Sequence, residues 1–180
     1  MNRRTLVAAL VAVFGIVHAS CSLAEEQLSP TRFGIGFHGS RTPLGVRWWL
    51  GEKVAVDAGF GTASSKYGGD QLTRITGDLG VPFRLASWDR VGVHLRPGVE
   101  YSSEEVPVGY FAGTTTNHVL TASLRVEAEV FVVSRVSLSG SFGVAYENND
   151  AGPNGTTESW GTTGGNFTDV GFHIYFGGPR

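Results

Sequence analysis

Five arginines (Arg47, Arg74, Arg84, Arg96 and Arg125) and six carboxylates (Asp57, Asp78, Glu100, Glu127, Glu129 and Glu147) recur at alternate positions along the chain, mostly flanked by glycine, serine or threonine at the same parity. Guanidinium and carboxylate match one another in planar, two-pronged hydrogen bonds. A near-balanced set of the two points to pairing, because a buried charge left alone costs several kcal/mol. Two readings follow: a paired plug, or a charged and gated pore. Catalysis has less to work with. His94 and His173 share the parity of the charges, as do Ser123 and Ser139, whereas His118 falls on the opposite face. A hydrolytic site needs a nucleophile, a base and an orienting acid together, and the spacing assembles none, so no catalytic residue is expected. Gly34-Ile35-Gly36-Phe37-His38-Gly39 matches G-x-G-x-x-G. A dinucleotide site also needs a helix after the motif and a later acidic residue; no helical periodicity follows, and no cofactor or metal is expected. A second candidate region is Glu104-Glu105-Val106-Pro107-Val108-Gly109-Tyr110-Phe111, where two acids stand beside an aromatic tip, together with Trp160 further on. Exposed aromatics of this kind mark partner surfaces or fold back onto a rim.

The elements that must position these residues are strands. Period-two alternation, the strand signal, runs through 32–38, 44–50, 54–60, 74–85, 91–101, 120–130, 136–147 and 170–176. In 120–130, for example, Leu120, Ala122, Leu124, Val126, Ala128 and Val130 oppose Thr121, Ser123, Arg125, Glu127 and Glu129. Pro82 and Pro97 fall inside two segments and each deletes a ladder donor, so a bulge or bend is expected there.

Eight such strands suit a soluble or a membrane barrel, and three features favour the second. Tight turns at 51–53, 86–89 and 133–135 alternate with polar stretches at 62–71, 102–117 and 148–166, expected as long outer loops. The polar faces carry no lysine: the chain has Lys53 and Lys66 alone, and a narrow interior favours small residues and Arg–carboxylate pairs over lysine. Aromatics gather at strand ends, with Phe33, Trp48, Phe83, Trp88 and Phe176 at the turn end and Phe37, Phe60, Tyr101 and Tyr146 at the loop end, as in interfacial girdles.

Composition sets the outer limits. The 180 residues include 26 glycines and one cysteine, with 41% hydrophobic residues and a net charge of −2. That excludes a disulfide scaffold, a cysteine zinc cluster and a nucleic-acid footprint. No apolar run reaches the length of about 18–20 residues a spanning helix requires. Arg3 and Arg4, an uncharged stretch from Thr5 to Val17 and Ser22-Leu23-Ala24 describe a secretory signal peptide over 1–24, cleaved after Ala24. His18-Ala19-Ser20-Cys21 is a poorer lipoprotein site, and Arg3-Arg4 weakly resembles a twin-arginine signal. Cleavage leaves 25–180 as one domain with a net charge of −4.

The last segment reads Asp169-Val170-Gly171-Phe172-His173-Ile174-Tyr175-Phe176. Asp169, Gly171, Ile174 and Phe176 resemble the insertion signal of bacterial outer-membrane proteins, although Ile174 replaces an aromatic and four residues follow Phe176. Over 31–176 the chain resembles small eight-stranded outer-membrane barrels of the outer-membrane protein A, X and W kind. That resemblance implies an all-β, up-and-down transmembrane barrel, a monomer in outer-membrane lipid and lipopolysaccharide, inserted by the barrel-assembly machinery. The expected role is a non-enzymatic scaffold with a plugged lumen, displaying loops for an extracellular ligand. A conduit for small hydrophobic molecules is the alternative, and a lipid-modifying enzyme comes third.

Overall fold

The computed structural model describes residues 33–67, 70–107, 114–152, 155–162 and 169–176. The expected signal peptide over 1–24 with its cleavage site, and Tyr110 and Phe111, lie outside the described residues. Ten strand segments follow one another: β1 (Phe33–Phe37), β2 (Leu44–Trp49), β3 (Ala55–Tyr67), β4 (Asp70–Gly80), β5 (Phe83–Trp88), β6 (Val91–Pro107), β7 (Thr114–Val133), β8 (Val136–Asp150), β9 (Thr156–Thr162) and β10 (Asp169–Phe176). They form eight staves. β4 and β5 are one stave against β6, and β9 and β10 together complete the stave beside β8. All pairings are antiparallel, and β10 pairs β1 through Phe33↔Phe176 to Phe37↔Phe172, closing the barrel.

Strict alternation decides which side chains turn inward, because successive residues of a strand face opposite ways. In β2, Gly45, Arg47 and Trp49 are buried while Leu44, Val46 and Trp48 are exposed. The same holds in β10, where Gly171, His173 and Tyr175 are buried between exposed Phe172, Ile174 and Phe176. The interior is therefore polar. Its largest fully buried side chains include Arg47, Tyr175, His94, His173 and Glu129, whereas Leu44 is 68% and Phe142 64% exposed on the outside.

Several boundaries differ from the sequence reading. The described parts of 62–71, 102–117 and 148–166, expected as loops, are largely strand: Lys66 pairs Gln71, Glu104 pairs Asn117, and Asn149 pairs Thr157. Backbone pairing needs no apolar face, and the threonines here favour extended backbone, so strands persist after the hydrophobic alternation stops. The walls are uneven as a result: β6, β7 and β8 have 17, 20 and 15 residues, and β1 and β2 only 5 and 6. The turn expected over 86–89 shrinks to Asp89-Arg90, with Asp89 at φ 43°, a left-handed conformation that aspartate tolerates.

The two prolines act differently from one another. Pro97 remains inside β6, while the opposing stave is interrupted at Val81-Pro82. Gly80↔Gly98 and Phe83↔Leu95 keep one register across the interruption, which sets Val81 opposite Pro97. Val81 N–H donates to Pro97 O at 3.0 Å, and Ala55 N–H to Pro82 O at 2.9 Å. In both pairs the reciprocal donor is a proline nitrogen without hydrogen, so each ladder lacks one bond at this height. The register shift itself lies between Arg84 and Ala86, beyond either proline.

Candidate functional site

The interior charges meet as a continuous chain across the barrel. Arg96, from β6, donates from Nη2 to Asp78 Oδ2 at 2.5 Å and to Asp57 Oδ1 at 2.8 Å, and from Nε to Asp57 Oδ2 at 3.0 Å. Arg47, from β2, donates from Nη2 to Asp57 Oδ2 at 2.9 Å. It then grips Glu127 two-pronged, Nη1 to Oε1 at 2.6 Å and Nη2 to Oε2 at 3.0 Å. Five strands are tied by Asp78–Arg96–Asp57–Arg47–Glu127, and all five side chains are buried. Removing water strengthens each bond and makes each unmade bond costly.

Neighbouring strands leave room for these groups at chosen glycines. A Cβ at Gly80 would stand 2.5 Å from Arg96 Nε, so the guanidinium occupies the space over that backbone. A Cβ at Gly34 would stand 2.8 Å from the Tyr175 ring. The inward glycines and the large polar side chains are thus two halves of one packing solution.

Histidines and loop residues extend the network beyond the arginines and carboxylates singled out by alternation. His38 Nε2 lies 3.3 Å from Asp57 Oδ2, and Nδ1 lies 3.2 Å from Asp78 Oδ1, the latter off the hydrogen-bonding direction. Arg41, between β1 and β2, donates to Glu100 Oε1 at 3.1 Å. Near the turn end, Ser137 Oγ and Tyr175 Oη both donate to Glu129 Oε1 at 2.6 Å. The parity of His38 with Gly34 and Gly36, and of Tyr175 with Gly171 and His173, was a readable signal for those two. Arg41 carries none, since a loop residue has no parity.

The other expected members take different positions along the wall. Arg84 lies over the Trp49 ring, 4.4 Å from its centroid. Arg125 and Glu147 line a cavity of about 230 Å³ above the network, together with Arg41, Glu100, Thr121 and Ser159. Arg74 is placed beside Glu104 by the β4–β6 register. Glu104 and Glu105 belong to β6 and not to a loop, a correction that follows from the long β6–β7 hairpin; Glu105 Oε2 accepts from Thr73 N–H at 2.9 Å. Trp160 likewise sits in β9 and not in a loop, packed on Tyr146 with ring centroids 4.9 Å apart. Within β10, Gly171 faces inward and Ile174 and Phe176 outward, while Asp169 begins the strand opposite Ser141.

Chemically this interior can block, bind and orient. His118, on the outward face, meets Tyr101 Oη through Nδ1 at 2.8 Å, a phenol and not a serine. One further group has ligand character: His94, Glu127 and Glu129 bring donor atoms within 4.8 Å of one another. Compared with known proteins, the chain matches no family model, no curated protein and no solved structure.

Proposed function

We propose that this protein is an integral outer-membrane barrel whose lumen is plugged by paired charges and whose function is structural support and display of its outer hairpins. The carrying observation is the inversion of burial. Charged and polar side chains fill the inside, and leucine, valine, phenylalanine and tryptophan cover the outside. In water such a surface would be a broad aggregation liability. In hydrocarbon it is the stable arrangement, since the closed wall pairs its own backbone groups and apolar side chains meet lipid. About 9–11 residues suffice to cross a bilayer, so β6 and β7 extend well past it, and their upper parts (Ser102–Glu105 and Thr114–Asn117) are polar. That excess supports display of Glu104, Glu105 and Trp160 to an external ligand, with Tyr110 and Phe111 as further candidates from the sequence alone.

Expression with the native leader tests the envelope assignment: the protein belongs in the outer-membrane fraction and migrates differently on gels before and after boiling. Planar bilayers test the plug. No steady single-channel current is expected from the wild type, nor from Arg96→Ala or Arg125→Ala, although both variants lose stability. A steady conductance would replace the plug with a pore. Tyr110→Ala with Phe111→Ala is expected to weaken binding to cells, matrix or ligand, and unchanged binding removes the recognition role.

A conduit for small hydrophobic molecules is the second reading, and the paired prolines are its best support, because two ladder bonds are missing at one height of the wall. The unbroken register there and the charged interior favour the scaffold. A lipid-modifying activity is the third, and unchanged lipid A by mass spectrometry after expression ends it.

A further inference from the structure

We propose that the turn end of the barrel interior holds a divalent transition-metal ion of the zinc class on His94, Glu127 and Glu129. The three side chains converge from two neighbouring strands. His94 of β6 is directly opposite Glu127 of β7, and Glu129 follows Glu127 by two residues on the same inward face. Their donor atoms lie within 4.8 Å of one another, and all three residues are buried. Donors on one zinc ion stand roughly 3–4 Å apart, given bond lengths of about 2.0–2.2 Å. A contraction of an ångström or so completes the site.

Glu127 is held by Arg47, but the other two members each keep unsatisfied donor atoms. His94 is 1% exposed, yet neither ring nitrogen has a hydrogen-bond partner. Nδ1 is 3.6 Å from Glu127 Oε1, longer than a hydrogen bond. An imidazole buried with both nitrogens idle is costly, and a metal bond removes that cost. Glu129 is polarised in the same sense. Ser137 and Tyr175 both donate to its Oε1, while Oε2 accepts no hydrogen bond. Outer donors that fix one carboxylate oxygen and leave the other for the ion are the usual support around metal ligands.

Most of the surrounding charges are already paired with one another. The buried arginines Arg47 and Arg96 face the buried carboxylates Asp57, Asp78, Glu127 and Glu129. Arg96 is engaged by Asp57 and Asp78, and Arg47 by Asp57 and Glu127. Arg47 Nη1 comes only to 3.7 Å of Glu129 Oε2. His38 stands between Asp57 and Asp78, while Arg84, which lies across the Trp49 ring, also interacts electrostatically with Glu129. One imidazole nitrogen with two carboxylate oxygens suits zinc, manganese or ferrous iron better than calcium or magnesium, which take oxygen ligands.

The test uses the full chain folded in detergent micelles and Zn²⁺ alone. About one zinc per chain is expected to survive dialysis and to be removed by a chelator. His94→Gln and Glu129→Gln are each expected to weaken zinc binding at least tenfold, while His173→Gln, which alters another buried histidine outside the group, retains it. X-ray absorption of the zinc-loaded wild type is expected to show a nitrogen and oxygen shell with a single imidazole and no sulfur, and that spectrum decides the matter alone if the variants fail to fold. Absence of retained zinc in the wild type, equal retention by His94→Gln, or a shell containing sulfur or several imidazoles overturns the site.

Discussion

Asp57 accepts from both Arg47 and Arg96 and lies beside His38, so one carboxylate neutralises groups from three directions. Asp57→Asn keeps the shape and removes the charge, leaving two buried guanidiniums with fewer partners. A loss of about 3–5 kcal/mol is expected, read as a lowered midpoint for urea unfolding of the barrel in detergent micelles. A loss below about 1 kcal/mol would mean that water reaches the pair. Gly80→Val tests the complementary half of the packing. Its Cβ would meet Arg96, so overpacking of roughly 1–3 kcal/mol is expected, whereas the same change at Gly140, whose Cβ would meet nothing within 4 Å, leaves the midpoint nearly unmoved. At this scale parity made most of the network legible. Arg47, Asp57, Asp78, Arg96, Glu127 and Glu129 all alternate with apolar neighbours. The pairing within the set was not legible, because which arginine meets which acid depends on register and on strands far apart in sequence.

The element whose sequence and structure bear most directly on each other is the β4–β5 stave with its partner β6. Pro97 cannot donate to Val81, and Pro82 cannot donate to Ala55, so two adjacent ladders are weakened together. Pro97→Ala restores a donor where an acceptor already waits, and a gain of about 0.5–1.5 kcal/mol is expected, with slower amide exchange confined to residues near Val81. Faster exchange there would show that the proline ring packs in a way the ladder does not replace. β9 offers the opposite case. Among the described residues it pairs with β8 alone, and the Trp160–Tyr146 contact is its anchoring aromatic pair. Trp160→Ala is expected to speed exchange over 156–162 and leave β10 unchanged. The sequence suggested loops wherever apolar alternation ceased. Hydrogen-bonded hairpins continue through those stretches because register, once set lower down by β6 and β7, carries upward without help from side chains.

For the whole molecule the decisive question is what covers the outside. Leu79 is an outward residue in β4 and 57% exposed. In a bilayer, Leu79→Arg is expected to cost about 2–4 kcal/mol if it lies near the midplane; on a water-facing surface the same change falls within about 0.5 kcal/mol. Unfolding in lipid vesicles distinguishes the two. The adjacent tryptophans give a second measure, because Trp48 faces outward and Trp49 is buried in the interior. In proteins retaining one tryptophan, brominated lipid is expected to quench Trp48 strongly and Trp49 weakly. Similar quenching of both would contradict the membrane placement.

By itself the sequence determined the alternating strands and the side of each strand on which charge and glycine fall. Both are local consequences of a two-residue repeat. Tertiary structure alone decided the closure of β10 on β1, the order of ion pairs along Asp78–Arg96–Asp57–Arg47–Glu127, the recruitment of His38 and Arg41, and the meeting of His94 with Glu127 and Glu129. Those depend on the register between strands and on the curvature that brings distant staves face to face. A repeat of two residues says which way a side chain points, and only the closed wall says what it meets.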